Sequence, residues 1–226
     1  MKKNQVGSSS NEMFDLQIDL LTKLKSGSII VPELKLFLQR KNPFAINTIQ
    51  EEWQEFYRKY FRMTVDFTEV AIPENLGDFE RVIFIPQGLT YTDIVKVLKK
   101  KFKVWFYTEK LDKDIKDDVR TSDKAYAVRL RERMEADEEW KNTSANQLKK
   151  QSINTMTLME RLILELKYYD ETGEHLDINN VTLCAGSRSS GGSVPRVDWL
   201  GVQLRVRWCH PGFAHVRLRA REAVSA

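Results

Sequence analysis

Residues 184–225 read CAGSRSSGGSVPRVDWLGVQLRVRWCHPGFAHVRLRAREAVS, and the reading of this stretch decides the fold. All twenty lysines of the chain lie at or before Lys167. The last isoleucine is Ile178, the last asparagine Asn180 and the last tyrosine Tyr169. In their place the stretch holds five of the ten glycines and seven of the sixteen arginines. Helical periodicity is absent. Alternating runs predict short strands at 182–185, 194–199, 203–208 and 216–222, separated by turns rich in Gly, Ser and Pro. A segment that gives up Lys yet keeps Trp, Val and Leu in register is under a constraint of its own.

Upstream the pattern changes. Residues 1–12 are polar and Ser-rich, an expected disordered lead-in. Apolar residues at helical spacing predict a helix over 14–25 that stops at Gly27, and Pro32 opens a second that runs to Arg40 before Asn42-Pro43. Asn47 with Gln50 resembles a capping box for a third helix, carrying Trp53, Phe56, Tyr57 and Tyr60 on one side. Strands are expected at 65–72, 81–85 and 102–107, with a helix between the last two that begins at Thr92 and ends at Lys101. The stretch 109–120 reads as a solvated connection and 121–140 as a charged helix. Thr157 and Glu160 form a capping box for a helix ending at Gly173, with Leu158, Leu162, Ile163, Leu166 and Tyr169 in one apolar stripe. The expected class is α+β: a helical and mixed supporting region over 13–150, then a β-rich module over 151–226.

Charge follows the same division. The formal +4 resides in the tail, where seven Arg face only Asp198 and Glu222. Two cysteines make no disulfide framework, and no apolar run suggests a signal peptide or a membrane span. The default expectation is a cytoplasmic location.

Chemical constellations are sparse. Cys184, Cys209, His210 and His215 are soft ligands, but no C-x-x-C pairing exists and the adjacent Cys209 and His210 point to opposite faces of a strand, so neither a metal nor another cofactor is expected. The loop 186–192 lacks both the ending of a P-loop and a nucleophile elbow. His175 with Asp177 reads as packing at a helix end, and Glu132 to Glu139 as a solvent-facing helical surface. The basic run of Lys99, Lys100, Lys101 and Lys103 beside Phe102, with the arginines of the tail, supports an alternative reading as a nucleic-acid-associated regulatory protein. No enzyme constellation emerges.

Between the framework positions of the tail stand residues with no common physical theme: acid, base, aromatic, aliphatic and thiol. They share a coding theme. Each is specified by a codon ending in C with its first two bases free, a set that includes Asn and excludes Lys and Glu. Both excluded types are absent from 175–221. The segments LCAGSR (183–188), VPRVDW (194–199), LRVRW (204–208) and LRAREAVS (218–225), preceded by the capping-box helix and ETGEHLD (171–177), resemble the variable protein of a diversity-generating retroelement. In that family adenine-directed mutations are written into the 3′ end of a gene whose product carries a C-type-lectin-like fold. The resemblance covers about 70 residues, from Thr157 onward, with a variable region at about 184–221.

It implies a non-enzymatic protein that displays a diversified surface to an unknown protein or other macromolecular ligand. The expected ligand-binding positions are Ser189, Gly191, Arg196, Asp198, Leu200, Val202, Arg207, Cys209, His210, Phe213, Ala214, His215 and Val216. Trp199, Trp208, Cys184, Leu204 and Leu218 are expected to be framework. An ordinary packed β-subdomain with an accidental residue mix is the plainer alternative.

Overall fold

The computed structural model describes residues 8–38, 48–108 and 110–225. The chain divides into two compact units, residues 1–47 and 48–226. The first contains α1 (Ser8–Ser26) and α2 (Val31–Leu38), with Gly27 in the left-handed conformation (φ +76°) that stops a helix. The expected lead-in is therefore already helical from Ser8. Arg40, Asn42 and Pro43, assigned to the end of the second helix, lie outside the described residues, as does Asn47.

The second unit begins with α3 (Ile49–Phe61). Its capping box is formed by Thr48 and Glu51, one residue beyond the expected Asn47 and Gln50. Trp53, Phe56 and Tyr57 of this helix are buried. The strand expected at 65–72 is irregular chain. Asp66 accepts hydrogen bonds from the backbone and the hydroxyl of Thr68, and Val70 N donates to Phe67 O, so a turn interrupts the alternation. β1 (Arg81–Ile85) leads into α4 (Tyr91–Lys101). Thr90 caps α4 in place of the expected Thr92, whose backbone and hydroxyl both donate to Asp112.

β2 (Lys103–Phe106) follows, and the expected solvated connection contains α5 (Leu111–Asp114) and β3 (Ile115–Asp118). The largest correction concerns 121–140, which is not a helix. β4 (Tyr126–Leu130) runs through it, burying Ala127, Val128 and Leu130, and only Glu138–Trp140 coils, as a 3-10 turn. Helix-forming charged residues lose to strand pairing on both edges of β4, a case of tertiary context overriding propensity. The charged side chains after it form a cross-linked surface: Arg131 pairs with Asp78, the buried Asp137 and Glu222, and Arg133 with Glu139.

After α6 (Ala145–Lys150), α7 (Leu158–Thr172) starts at the Thr157–Glu160 capping box and ends on left-handed Gly173, both as expected. Its surroundings are not as expected. Every residue from Leu158 to Lys167 is buried, so the helix carries no solvent face along that length. The charged residues on it are tolerated because each finds a partner. Glu160 takes two hydrogen bonds from Arg120 and one from Tyr126, and Arg161 bridges Glu165 and Asp177.

The remaining strands are β5 (Val181–Leu183), β6 (Ser187–Ser189), β7 (Val194–Leu200), β8 (Gln203–Cys209), β9 (Leu218–Ala220) and β10 (Val224–Ser225). Among the described residues they complete an α+β architecture with three sheets: β1-β4-β10, β2-β8-β7-β5-β9 and β3-β6. Each sheet combines strands from both sides of residue 150, so the expected boundary there does not divide the fold. The main core lies among α3, α4, α7, β1, β4 and one face of the five-stranded sheet. A second cluster packs Ala145 and Leu148 of α6 against Val181, Leu183, Val194, Leu218 and Ala220.

Candidate functional site

Strand alternation sorts the side chains of the β7–β8 hairpin onto two faces. Val197, Trp199, Leu204, Val206 and Trp208 turn inward to the main core with Cys184, and Leu218 packs in the second cluster, so the expected framework residues are buried or half-buried. The other face carries Arg196, Asp198 and Leu200 of β7 beside Gln203, Arg205, Arg207 and Cys209 of β8. Register aligns them in pairs: Arg196 opposite Arg207, Asp198 opposite Arg205, and Leu200 opposite Gln203. The cluster of α6 covers this outer face on its β5–β9 side and reaches Val194 of β7 and Cys209 of β8, while Leu200 of β7 and Trp105 of the neighbouring β2 are exposed.

β2 extends the exposed side. Its parallel register places Trp105 beside Arg205, and Lys103 and Trp105 are exposed while Val104 and Phe106 pack on the core. Tyr107, just past the strand, is exposed and lies 6.5 Å edge-on from Trp105. Trp105, Tyr107 and Arg205 were missed from sequence. Alternation in 103–107 marks the two aromatics as outward, but nothing local reveals that this strand joins β8 across about 100 residues of chain.

Asp198 departs from expectation. It is buried, not an exposed contact, because Arg205 donates to both its oxygens and Arg207 Nη2 reaches Oδ1 at 3.1 Å. One carboxylate thus engages two guanidiniums. Arg196 has no such partner: among the described residues no carboxylate pairs with it. Its guanidinium sits 5.6 Å from the centre of the Phe213 ring. Its Nε is buried without a hydrogen-bond partner, as is that of Arg207. Burial and the like charge of Arg207 lower the pKa of Arg196, against the smaller opposing pull of Cys209 and Asp198.

The segment after β8 folds back as two turns, Phe213 N donating to His210 O and Leu218 N to His215 O, both at 2.8 Å. The rings of Phe213 and His215 are parallel, 6.3 Å apart. His210, Phe213, His215 and Val216 are exposed, and Ala214 is half-buried. Cys209 is half-buried, its thiol directed at Val194 O. Burial raises the pKa of that thiol, while Arg196, Arg188 and Arg207 all act on it in the opposite sense. Val202 is exposed in the turn joining β7 and β8. Ser189 lies elsewhere. It belongs to β6, its Oγ accepts from Ser193 N, and it lines an open cavity of about 280 Å³ with Tyr107, Asp114 and Trp208. Gly191 is exposed in the adjoining turn. The structure therefore gathers Arg196, Leu200, Arg207 and Cys209 on one face, with Phe213 against Arg196, and leaves Ser189 and Gly191 apart.

The sequence also missed the buried network behind the hairpin. Asp177 accepts from Arg161, Arg221, Thr182 and the backbone N of Ala136. His175 stacks on Trp199, ring centres 3.3 Å apart, and bonds Glu165 through Nδ1. Widely separated in sequence, these residues carry no local signal. No group of three or more His, Cys, Asp or Glu side chains converges on a metal-sized site among the described residues, and none of the described helices is long and apolar enough to cross a membrane. Comparison with family models, curated proteins and solved structures finds no match.

Proposed function

We propose that the protein is a non-enzymatic binding protein whose ligand seat is the outer face of the β7–β8 hairpin with the segment 210–216. The observation that carries this reading is the alternation itself. Arginine, leucine and cysteine side chains at 196, 200, 207 and 209 share one face, while the Trp, Val and Leu positions between them turn into the core. Such a platform holds its backbone through buried residues and lets exposed ones change at about 0.5 kcal/mol or less each. A rigid sheet also spares the ordering entropy that a flexible binding loop loses. This is the behaviour required of a diversified, C-type-lectin-like variable region, and the coding theme of the tail supports that origin. Because β2 contributes Trp105, the binding module draws on chain well before residue 151.

A displayed library randomised at 196, 200, 202, 207, 213 and 216 tests the reading. Most members are expected to stay folded and to yield binders against unrelated protein targets. General unfolding of the library contradicts it.

A second reading, nucleic-acid association, is favoured by Lys103, Arg205, Arg207 and Arg196 sharing a face with exposed Trp105 and Tyr107. Asp198 counts against it, since its carboxylate already engages Arg205 and Arg207. Lys101 of the basic run lies over the Tyr60 ring, away from this face. Electrophoretic mobility of oligonucleotides across a salt series separates the two readings.

A further inference from the structure

On the outer face of the hairpin Arg196 is the arginine that no carboxylate pairs with among the described residues, whereas Arg205 and Arg207 share Asp198. Arg196 is half-buried, stands opposite Arg207, and lies against Phe213, with no carboxylate partner among the described residues. Burying a cation beside another cation is unfavourable unless an anion joins them. Within the same sheet Asp198 shows the paired arrangement, one carboxylate shared by two arginines. Resting on the reading of this face as a binding surface, we propose that Arg196 is the seat for a carboxylate of a protein ligand, held between the Phe213 ring and Arg207.

Three features point to a protein and to that group. The planar guanidinium presents paired donors that match a carboxylate, and among the described residues no carboxylate forms an ion pair with Arg196. The ring of Phe213 lies beside the fork, 5.6 Å from its centre, within cation–π range. The exposed residues along β2, the end of the hairpin and the segment after β8 are Trp105, Tyr107, Leu200, Val202 and Phe213, the aromatic and aliphatic composition of a protein-binding surface.

A nucleic acid fits less well. Its affinity comes from many phosphate contacts, and here Arg205 and Arg207 are engaged by Asp198, whose own charge repels phosphate. Exposed Leu200 and Val202 offer a phosphate backbone nothing.

Panning a random-peptide phage library on the full chain tests the proposal. Enriched peptides should carry Asp or Glu beside apolar residues. A synthetic copy should bind R196Q about 10- to 100-fold more weakly than the native chain, and R196K at an intermediate level, because lysine keeps the charge and loses the fork. F213S should weaken the same peptide, and thermal melting of each variant establishes that the fold is retained. Enriched peptides without acidic residues, or acidic peptides that bind R196Q undiminished, overturn the carboxylate seat. If such non-acidic peptides are lost on L200E, the binding face stands and only the seat falls. If no captured peptide depends on Arg196, Leu200 or Phe213, the binding-face reading falls with it. A single-stranded oligonucleotide that binds with steep salt dependence and is released by R196Q also overturns the proposal, in favour of nucleic acid.

Discussion

Arg196 on β7 stands directly opposite Arg207 on β8, a pair of like charges at facing positions of an antiparallel ladder. Like charges at facing positions cost stability. Replacing Arg196 by Thr, a good strand residue, is predicted to stabilise the protein by roughly 0.2–1 kcal/mol. Urea denaturation measures this directly, and a loss of stability on R196T would mean that the arginine serves the fold.

The two faces of the hairpin should respond oppositely to substitution. L200S, V202S and V216S alter exposed side chains and are expected to change stability by about 0.5 kcal/mol or less. L204A removes a wholly buried side chain on the inner face and should cost about 2–5 kcal/mol. Equal costs on both faces would remove the distinction between platform and display.

Asp177 joins the chain before β5 to α7 and to the last strands. Burial pushes its pKa up, but Arg221 and Arg161 more than offset this and hold it below the usual carboxylate range. Its backbone is left-handed (φ 55°), a conformation Asn also tolerates, so D177N removes the charge without adding strain. It leaves Arg161 and Arg221 buried with reduced compensation and should destabilise the fold by about 3–5 kcal/mol in denaturant titration.

The carboxyl of Asp118 is pushed up to about 6 by burial, despite hydrogen bonds from Ser187 and Tyr91. The folded state therefore binds this proton more tightly than the unfolded chain. Its contribution is complete below the unfolded pKa of 3.8 and is lost as pH rises through about 6. D118N mimics the protonated form, so its stability relative to the native chain should rise between pH 4 and 7.5 by up to about 3 kcal/mol. A difference that stays flat over that range contradicts the assignment.

Local signals in the sequence proved sound where a side chain acts on its own neighbourhood. The Thr157–Glu160 box, the Gly173 stop and the alternation of β7 and β8 each depend on residues a few positions apart. Readings failed where distant chain decides the outcome. Tyr126–Leu130 becomes a strand because β1 and β10 flank it, and Arg161 is buried because Asp177 and Glu165 receive its charge. The same limit holds in the candidate site. Arg196 and Phe213 stand together as neighbours that the tail alone does not pair, Trp105 enters the face through a parallel pairing, and Asp198 is withdrawn from it by Arg205 and Arg207.

The central claim is that the outer positions of this hairpin are written to vary while the inner ones are fixed. Sequencing the DNA around the gene tests it most directly. The account predicts a near-copy of the 3′ end beside a reverse-transcriptase gene, differing at template adenines whose codons fall on outer positions such as 196, 200, 207 and 213. A flanking region with no such copy, or a copy whose differences fall equally on the codons of Val197, Leu204 and Val206, would contradict it.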